Sequence, residues 1–136
     1  RAAMEGVTLG MNYGLRRLAK LGVRPKQIRA TGGGAQSRVW RQIMADVFNA
    51  EVVTLKVGEG AAYGAALQAL WCWRRQQGDK VSIAEITDQF VRLNRAETAQ
   101  PSAPNVAVYR ELQDLQDEMS RALRGVFGKH RRFVLR

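Results

Sequence analysis

The chain of 136 residues is the size of one domain, and its 46% hydrophobic and 25% charged residues are typical of a soluble, folded protein. It contains no signal-peptide pattern and no apolar run of membrane-spanning length, so we expect a cytoplasmic protein without a membrane partner. Its one cysteine, Cys72, excludes an internal disulfide.

The formal net charge of +10 invites comparison with nucleic-acid-binding proteins. However, the basic residues are spread along the chain, and only residues 129–132 with Arg136 form a cluster. No recognisable nucleic-acid-binding signature accompanies this cluster. The pattern therefore argues against a nucleic acid partner, and we expect residues 128–136 to form a solvated basic tail.

Apolar residues at helical spacing predict a first helix over residues 2–20, which Gly22 ends. The pattern begins without an initiating methionine or a cap, so we expect a piece of a longer protein. Three glycines recur at every fourth position of this helix and predict close packing against another backbone: Gly6, Gly10 and Gly14.

A short strand is expected over residues 27–31, followed by three glycines and a helix. Ser37 has the side chain of a helix N-cap, and Asn49 can end the helix in the left-handed conformation. A second strand follows over residues 51–55. A short β-loop-α-β connection of this kind predicts two parallel strands.

The three glycines have no Cβ atoms, so a ligand can approach the backbone closely, and the following helix start offers unpaired N–H groups. Such a turn commonly receives a nucleotide. No Gly-Lys-Ser/Thr sequence follows, and Ser37 stands where a GxGxxG motif has its last glycine. The spacing alone is equally consistent with a tight structural turn.

Further along the chain we expect a helix over residues 61–77 with an inner side of small residues, and a short helix over residues 83–90 capped by Ser82 and Glu85. Residues 94–105 contain two prolines among small polar residues and predict a loop. A final amphipathic helix begins near Val108. Two strands are too few for a stable sheet, so we expect further strands from outside this sequence.

Two segments resemble the FGGY family of carbohydrate kinases, most of all its xylulokinase branch. Residues 31–47, TGGGAQSRVWRQIMADV, resemble the family's adenosine motif. Residues 59–66, EGAAYGAA, resemble its second glycine- and alanine-rich signature, which we expect to pack behind the first glycine turn. The resemblance is close over residues 1–70 and loose over the last third.

The resemblance implies an α/β fold, the ribonuclease H-like, actin-like ATPase domain. Residues 1–136 would be the C-terminal portion of that second, ATP-binding domain, with about five helices and two parallel strands. It also implies an enzyme that uses ATP and Mg²⁺ to phosphorylate a small sugar, with D-xylulose as the best guess. The missing remainder of the kinase chain would complete it, and a homodimer is compatible with the sequence.

In the resembling kinases, adenosine packs on the first glycine turn. The implied cofactor-binding residues are Gly32, Gly33, Gly34, Ala35, Gln36 and Ser37. No aspartate lies at the three-glycine turn, so we assign no catalytic residue and no metal ligand and expect both outside this sequence. The alternative is a non-catalytic, basic module that binds nucleotides or nucleic acid.

Overall fold

The computed structural model describes residues 1–135, and Arg136, which the sequence assigns to the basic tail, lies outside them. The helices of the described chain are α1 (Ala2–Lys20), α2 (Gly33–Gln36), α3 (Arg38–Phe48), α4 (Gly60–Gln76), α5 (Ile83–Phe90), α6 (Ala103–Ala122) and α7 (Arg124–Val134). Its strands are β1 (Gln27–Ala30), β2 (Glu51–Leu55) and β3 (Leu93–Ala99).

The three strands form one mixed sheet in the order β1-β2-β3. The strands β1 and β2 are parallel, with Ile28 opposite Val52, as the β-loop-α-β pattern predicts. The strands β2 and β3 are antiparallel, and their register shifts between Val52 and Thr54. The parallel pair places the residues that follow β1 and β2 at the same edge of the sheet.

The predicted loop over residues 94–105 is wrong, because most of it belongs to β3 and to the first turn of α6. As an edge strand, β3 keeps Arg95 and Glu97 exposed and buries only Ala99, so it lacks the apolar alternation that identifies a strand. Pro104 lies in the first turn of α6, where proline is tolerated. The described chain thus has three strands where two were expected, and seven helices where five were expected.

Helix α3 lies at the centre of the core. One of its faces packs with α1 and α6 in a cluster formed by Leu9, Ile43, Val47 and Tyr109. The other packs on the sheet in a cluster formed by Met44, Ala45, Val52 and Ala99. Trp40 and Phe48 pack against both clusters. The helix that follows the glycine turn is therefore held from two sides.

The expected inner side of α4 is not buried among the described residues. Its alanines are exposed, Trp73 is 59% exposed, and Leu67 alone is buried. Likewise, no atom of the described chain lies within 4 Å of a Cβ placed on Gly6, Gly10 or Gly14, so the close packing expected along α1 is not found here.

Residues 128–134 belong to α7, although the sequence predicts a tail. Neither Gly125 nor Gly128 has a positive φ, and a glycine with helical φ weakens a helix by only about 1 kcal/mol without ending it. The side chains of α7 are exposed, as expected for this basic segment. No helix among residues 1–135 combines the length and the apolar character needed to cross a membrane.

Candidate functional site

A small cleft of about 160 Å³ lies where the parallel strands β1 and β2 end. In α/β sheets, ligands bind in the crevice outside the carboxyl ends of parallel strands. The turn after β1, the loop after β2 and the edge strand β3 all contribute to the cleft, through Thr31, Gly32, Gln36, Lys56, Gly58 and Glu97. The glycine turn is thus one wall of this cleft.

After β1 the chain forms two helices, α2 and α3, where the sequence predicts one glycine loop that leads into one helix. Gly32 has φ +83°, which favours glycine, and α2 then forms a single helical turn. The chain becomes extended at Ser37, whose Oγ accepts a hydrogen bond from the Trp40 N–H at 3.3 Å. The predicted N-cap at Ser37 is confirmed, and its side chain is engaged in starting α3.

The three consecutive glycines face different surroundings. A Cβ on Gly32 or Gly33 would meet no atom within 4 Å, so both backbones are open. A Cβ on Gly34 would lie 2.9 Å from the Trp40 ring, so this glycine makes room for the indole. Next along the chain, Ala35 is buried and Gln36 is exposed at the cleft. The open part of the turn therefore consists of Gly32, Gly33 and Gln36.

The second signature contacts the first turn at one residue, Gly60. A Cβ on Gly60 would lie 3.2 Å from the side chain of Thr31, a distance that forces one of the two groups to shift. Gly60 is the first residue of α4. A glycine here lets the start of α4 approach the turn after β1 closely.

Sequence reasoning did not single out Arg41, a charged residue of α3. Arg41 is only 6% exposed, and its Nη1 donates hydrogen bonds to the carbonyls of Ala35 at 2.6 Å and Gln36 at 3.0 Å. Its charge also lies 3.6 Å from Glu97 Oε2. The extended N-cap Ser37 separates α2 from α3, and the carbonyls of Ala35 and Gln36 just before it therefore need a donor from outside the helix. The cap at Ser37 was the sequence signal for this need.

Asp46 is also buried and has a structural role. It accepts hydrogen bonds from the side chain of Gln42 at 3.0 Å, the backbone N–H of Ser102 at 2.8 Å and the side chain of Asn105 at 2.9 Å. These donors fix the start of α6 beside α3. A larger groove of about 910 Å³ lies on this side of α3, between β3 and α6, away from the open glycines.

The cleft contains few ionisable groups. Lys56 and Glu97 line it, and Glu97 is already near Arg41 and accepts from Thr54 Oγ1 at 3.2 Å. Across residues 1–135, no group of three or more His, Cys, Asp or Glu side chains is placed to hold a metal ion. The arrangement can receive a flat, uncharged group on bare backbone, and it offers no pair of carboxylates for acid–base chemistry.

Comparison with known proteins identifies the family. Residues 1–73 match the model of the C-terminal domain of the FGGY family of carbohydrate kinases. A xylulose kinase from Haemophilus influenzae is 40% identical over 110 residues, which cover 81% of this chain and 21% of that protein. A gluconokinase from Bacillus licheniformis is 36% identical over 124 residues, which cover 90% of this chain and 23% of that protein.

Solved structures agree with the sequence comparison. A ligand-bound xylulose kinase from Lactobacillus acidophilus superposes with a TM-score of 0.81 at 30% identity, over 96% of this chain and 25% of that one. A gluconate kinase from the same organism gives a TM-score of 0.80 at 30% identity, over the same shares. The chain spans about a fifth to a quarter of the length of these relatives. With more than half of its residues matching the family model, the chain belongs to the FGGY family of carbohydrate kinases, as part of the C-terminal domain.

Proposed function

We propose that the protein containing this chain transfers the γ-phosphoryl group of ATP to a sugar hydroxyl, and that this segment supplies part of the adenosine site. Membership of a carbohydrate kinase family supports the reaction class. The observation that carries the role of this segment is the open backbone of Gly32 and Gly33 at the carboxyl edge of two parallel strands.

The residues present fit an adenosine group. The open side of Gly32 and Gly33 leaves a flat base free to approach the main chain, since no atom occupies the space where their side chains would stand. The exposed amide of Gln36 can both donate and accept a hydrogen bond at a base edge. We assign Gly34, Ala35 and Ser37 to the same site as the residues that hold this surface in shape.

The residues present do not fit a magnesium ion. Mg²⁺ prefers carboxylate and water oxygens in octahedral geometry. At the cleft, Glu97 Oε2 already faces Arg41 and Thr54, and no group of metal-binding side chains occurs among residues 1–135. We propose that the metal ligands and the catalytic base that phosphoryl transfer requires come from the remainder of the longer protein.

We propose D-xylulose as the sugar. Xylulose kinases from several bacteria are among the relatives, and the example from Haemophilus influenzae is 40% identical to this chain. The gluconokinase relatives, at 36% and 33% identity, make gluconate the competing substrate. Initial rates of the full-length protein with D-xylulose and with gluconate decide between the two, and a higher kcat/KM for gluconate would contradict the proposal.

The test of the adenosine site is Gly33→Val in the full-length protein. An added Cβ at this position lies within 4 Å of no other residue, and φ of Gly33 is not positive, so we expect the fold to persist. The isopropyl group of valine would then occupy the space proposed for the nucleotide. We expect KM for ATP to rise by about tenfold or more, equivalent to at least about 1.4 kcal/mol. KM for the sugar should stay within about twofold.

Gly125→Val is the matched control, because Gly125 also lies in a helix, has no positive φ and faces open space. It should leave KM for ATP unchanged. If Gly33→Val leaves ATP binding intact in a folded protein, the nucleotide does not lie on this turn. If the wild-type protein instead binds polynucleotide with steep salt dependence and ATP has no effect, the protein is a nucleic-acid-binding module.

A further inference from the structure

We infer that Arg41 is a positioning residue for the nucleotide site, acting through the backbone of the glycine turn. The inference rests on the proposed function, because it assigns a role at the same site. Arg41 lies beneath the turn, with its two hydrogen bonds on the carbonyls of Ala35 and Gln36. These two residues follow the three glycines, and Gln36 carries the exposed amide at the cleft.

The carbonyls that Arg41 binds lie at the end of α2, where no backbone N–H of the same helix can donate to them. The last carbonyls of any α-helix have no intrahelical donor, and α2 ends at Gln36 because Ser37 is extended. The Gly34 carbonyl accepts from the Ser37 N–H, while the next two carbonyls accept from Arg41. A cation at the C-terminal end of a helix is also favourable. The guanidinium thus supplies the hydrogen-bond donors that the backbone of a further helical turn would have supplied.

A second contact ties this arrangement to the sheet. Arg41 Nη1 lies 3.6 Å from Glu97 Oε2 on β3, and the same oxygen accepts from Thr54 Oγ1 on β2 at 3.2 Å. A buried charge without partners is strongly unfavourable, so Arg41, at 6% exposure, depends on these acceptors. The turn after β1 is therefore connected through one guanidinium to the two other strands of the described sheet.

The guanidinium suits this task better than other cations. It is planar and always charged, and it presents several N–H groups in a fixed fork, whereas a lysine has a compact ammonium on a flexible stem. Arg41→Lys keeps the charge and loses the fork, so it should support the turn only in part. Arg41→Met keeps a long apolar stem of similar reach and removes all donors.

The experiment measures KM for ATP, KM for the sugar, and Tm of the full-length protein for Arg41→Met and Arg41→Lys. We expect KM for ATP to rise by about tenfold in Arg41→Met and by a smaller factor in Arg41→Lys, equivalent to about 1.4 kcal/mol for the larger change. KM for the sugar should change by less than about twofold. Arg38→Met is the matched control, since Arg38 is exposed on the same helix.

The outcomes separate the inference from the proposed function. If Gly33→Val raises KM for ATP and folded Arg41 variants do not, the inference is overturned and the nucleotide site stands. If neither change affects ATP binding, the proposed site falls and the inference falls with it. Equal increases in both KM values, or loss of folding in both Arg41 variants, would assign Arg41 to general stability and overturn its role at the nucleotide.

Discussion

Two adjacent glycines in the turn, Gly33 and Gly34, have different surroundings. Gly33 leaves open space, whereas Gly34 leaves room for the ring of Trp40, which would lie 2.9 Å from an added Cβ. The indole is also fixed from its other end, since its Nε1–H donates to Thr8 Oγ1 at 2.9 Å. The ring cannot move aside without losing this hydrogen bond to α1.

Gly34→Ala should therefore destabilise the protein by about 1–3 kcal/mol, the range for overpacking a well-packed site. Gly33→Ala is the matched control and should be neutral or slightly stabilising, because alanine favours the helical conformation and meets no atom. Denaturant unfolding of the two variants measures the difference in the free energy of unfolding. Equal stability of the two variants would contradict this prediction and would show that the Trp40 ring can shift to accommodate the methyl group.

Some residues of the turn and of α3 could be predicted from the sequence, and others could not. The turn, the Ser37 cap and the left-handed Asn49 follow from local chemistry, and the structure confirms the cap and the φ of +49°. Arg41 and Asp46 are buried, although a charged residue on a helix usually faces water. Their partners lie in the broken turn and at the start of α6, which no local pattern of α3 can indicate.

Helices α1 and α6 are joined by polar contacts near their starts and again at their middles. Tyr109 Oη donates to Glu5 Oε1 at 2.8 Å, and further along, the buried Asn12 side chain donates to Gln113 at 2.9 Å. Hydrogen bonds from Arg1 and from Tyr109 lower the pKa of Glu5. Burial, and then the hydrogen bond to Glu5, raise the pKa of Tyr109.

These shifts predict the pH dependence of the α1–α6 contact. A carboxyl whose pKa is lower in the folded state stabilises the fold above its ordinary pKa of about 4.3, and this stabilisation is lost as pH falls through the folded pKa. The wild-type protein should therefore exceed Glu5→Gln in stability at pH 6, by less than about 1 kcal/mol for a partly exposed pair. Unfolding at pH 6 and at pH 3 should show the difference shrinking, and a difference that grows towards pH 3 would contradict this.

The element that sequence reasoning missed, β3, differs from those it found. The strand β2 has a run of apolar residues because both of its faces are buried, and this run identifies it. The strand β3 pairs through its backbone at the edge of the sheet and keeps Arg95, Ala96 and Glu97 exposed. Backbone hydrogen bonding leaves no pattern in the side chains, so β3 can be recognised as a strand only from its pairing with β2 in the structure.

For the whole molecule, burial predicts an uneven distribution of local stability. Val52 and Val53 of β2 are 0% and 2% exposed, and their strand pairs on both sides, whereas α7 has no buried residue. Amide hydrogen exchange of the protein should be slowest in β2 and among the fastest in α7, because local opening is easiest where few apolar contacts are lost. Exchange in α7 as slow as in β2 would mean that another part of the longer protein covers it.

The general class and the central unit of the fold could be predicted from the sequence. The β1–α3–β2 unit is local, and its elements lie within 30 residues. The surroundings of α4 could not be predicted, because small residues such as Ala65 and Ala66 indicate a close neighbour without saying which one. Among the described residues they remain exposed, and most of the length of the related kinases lies outside this chain.

The central position of α3 has a consequence for biosynthesis. One face of this helix is covered by α1, which precedes it in the chain, and by Tyr109 of α6. Helix α3 ends at Phe48, whereas α6 begins only at Ala103. Domains fold during translation as their parts leave the ribosome. Leu9, Ile43 and Val47 therefore stay partly uncovered during synthesis until α6 has been made.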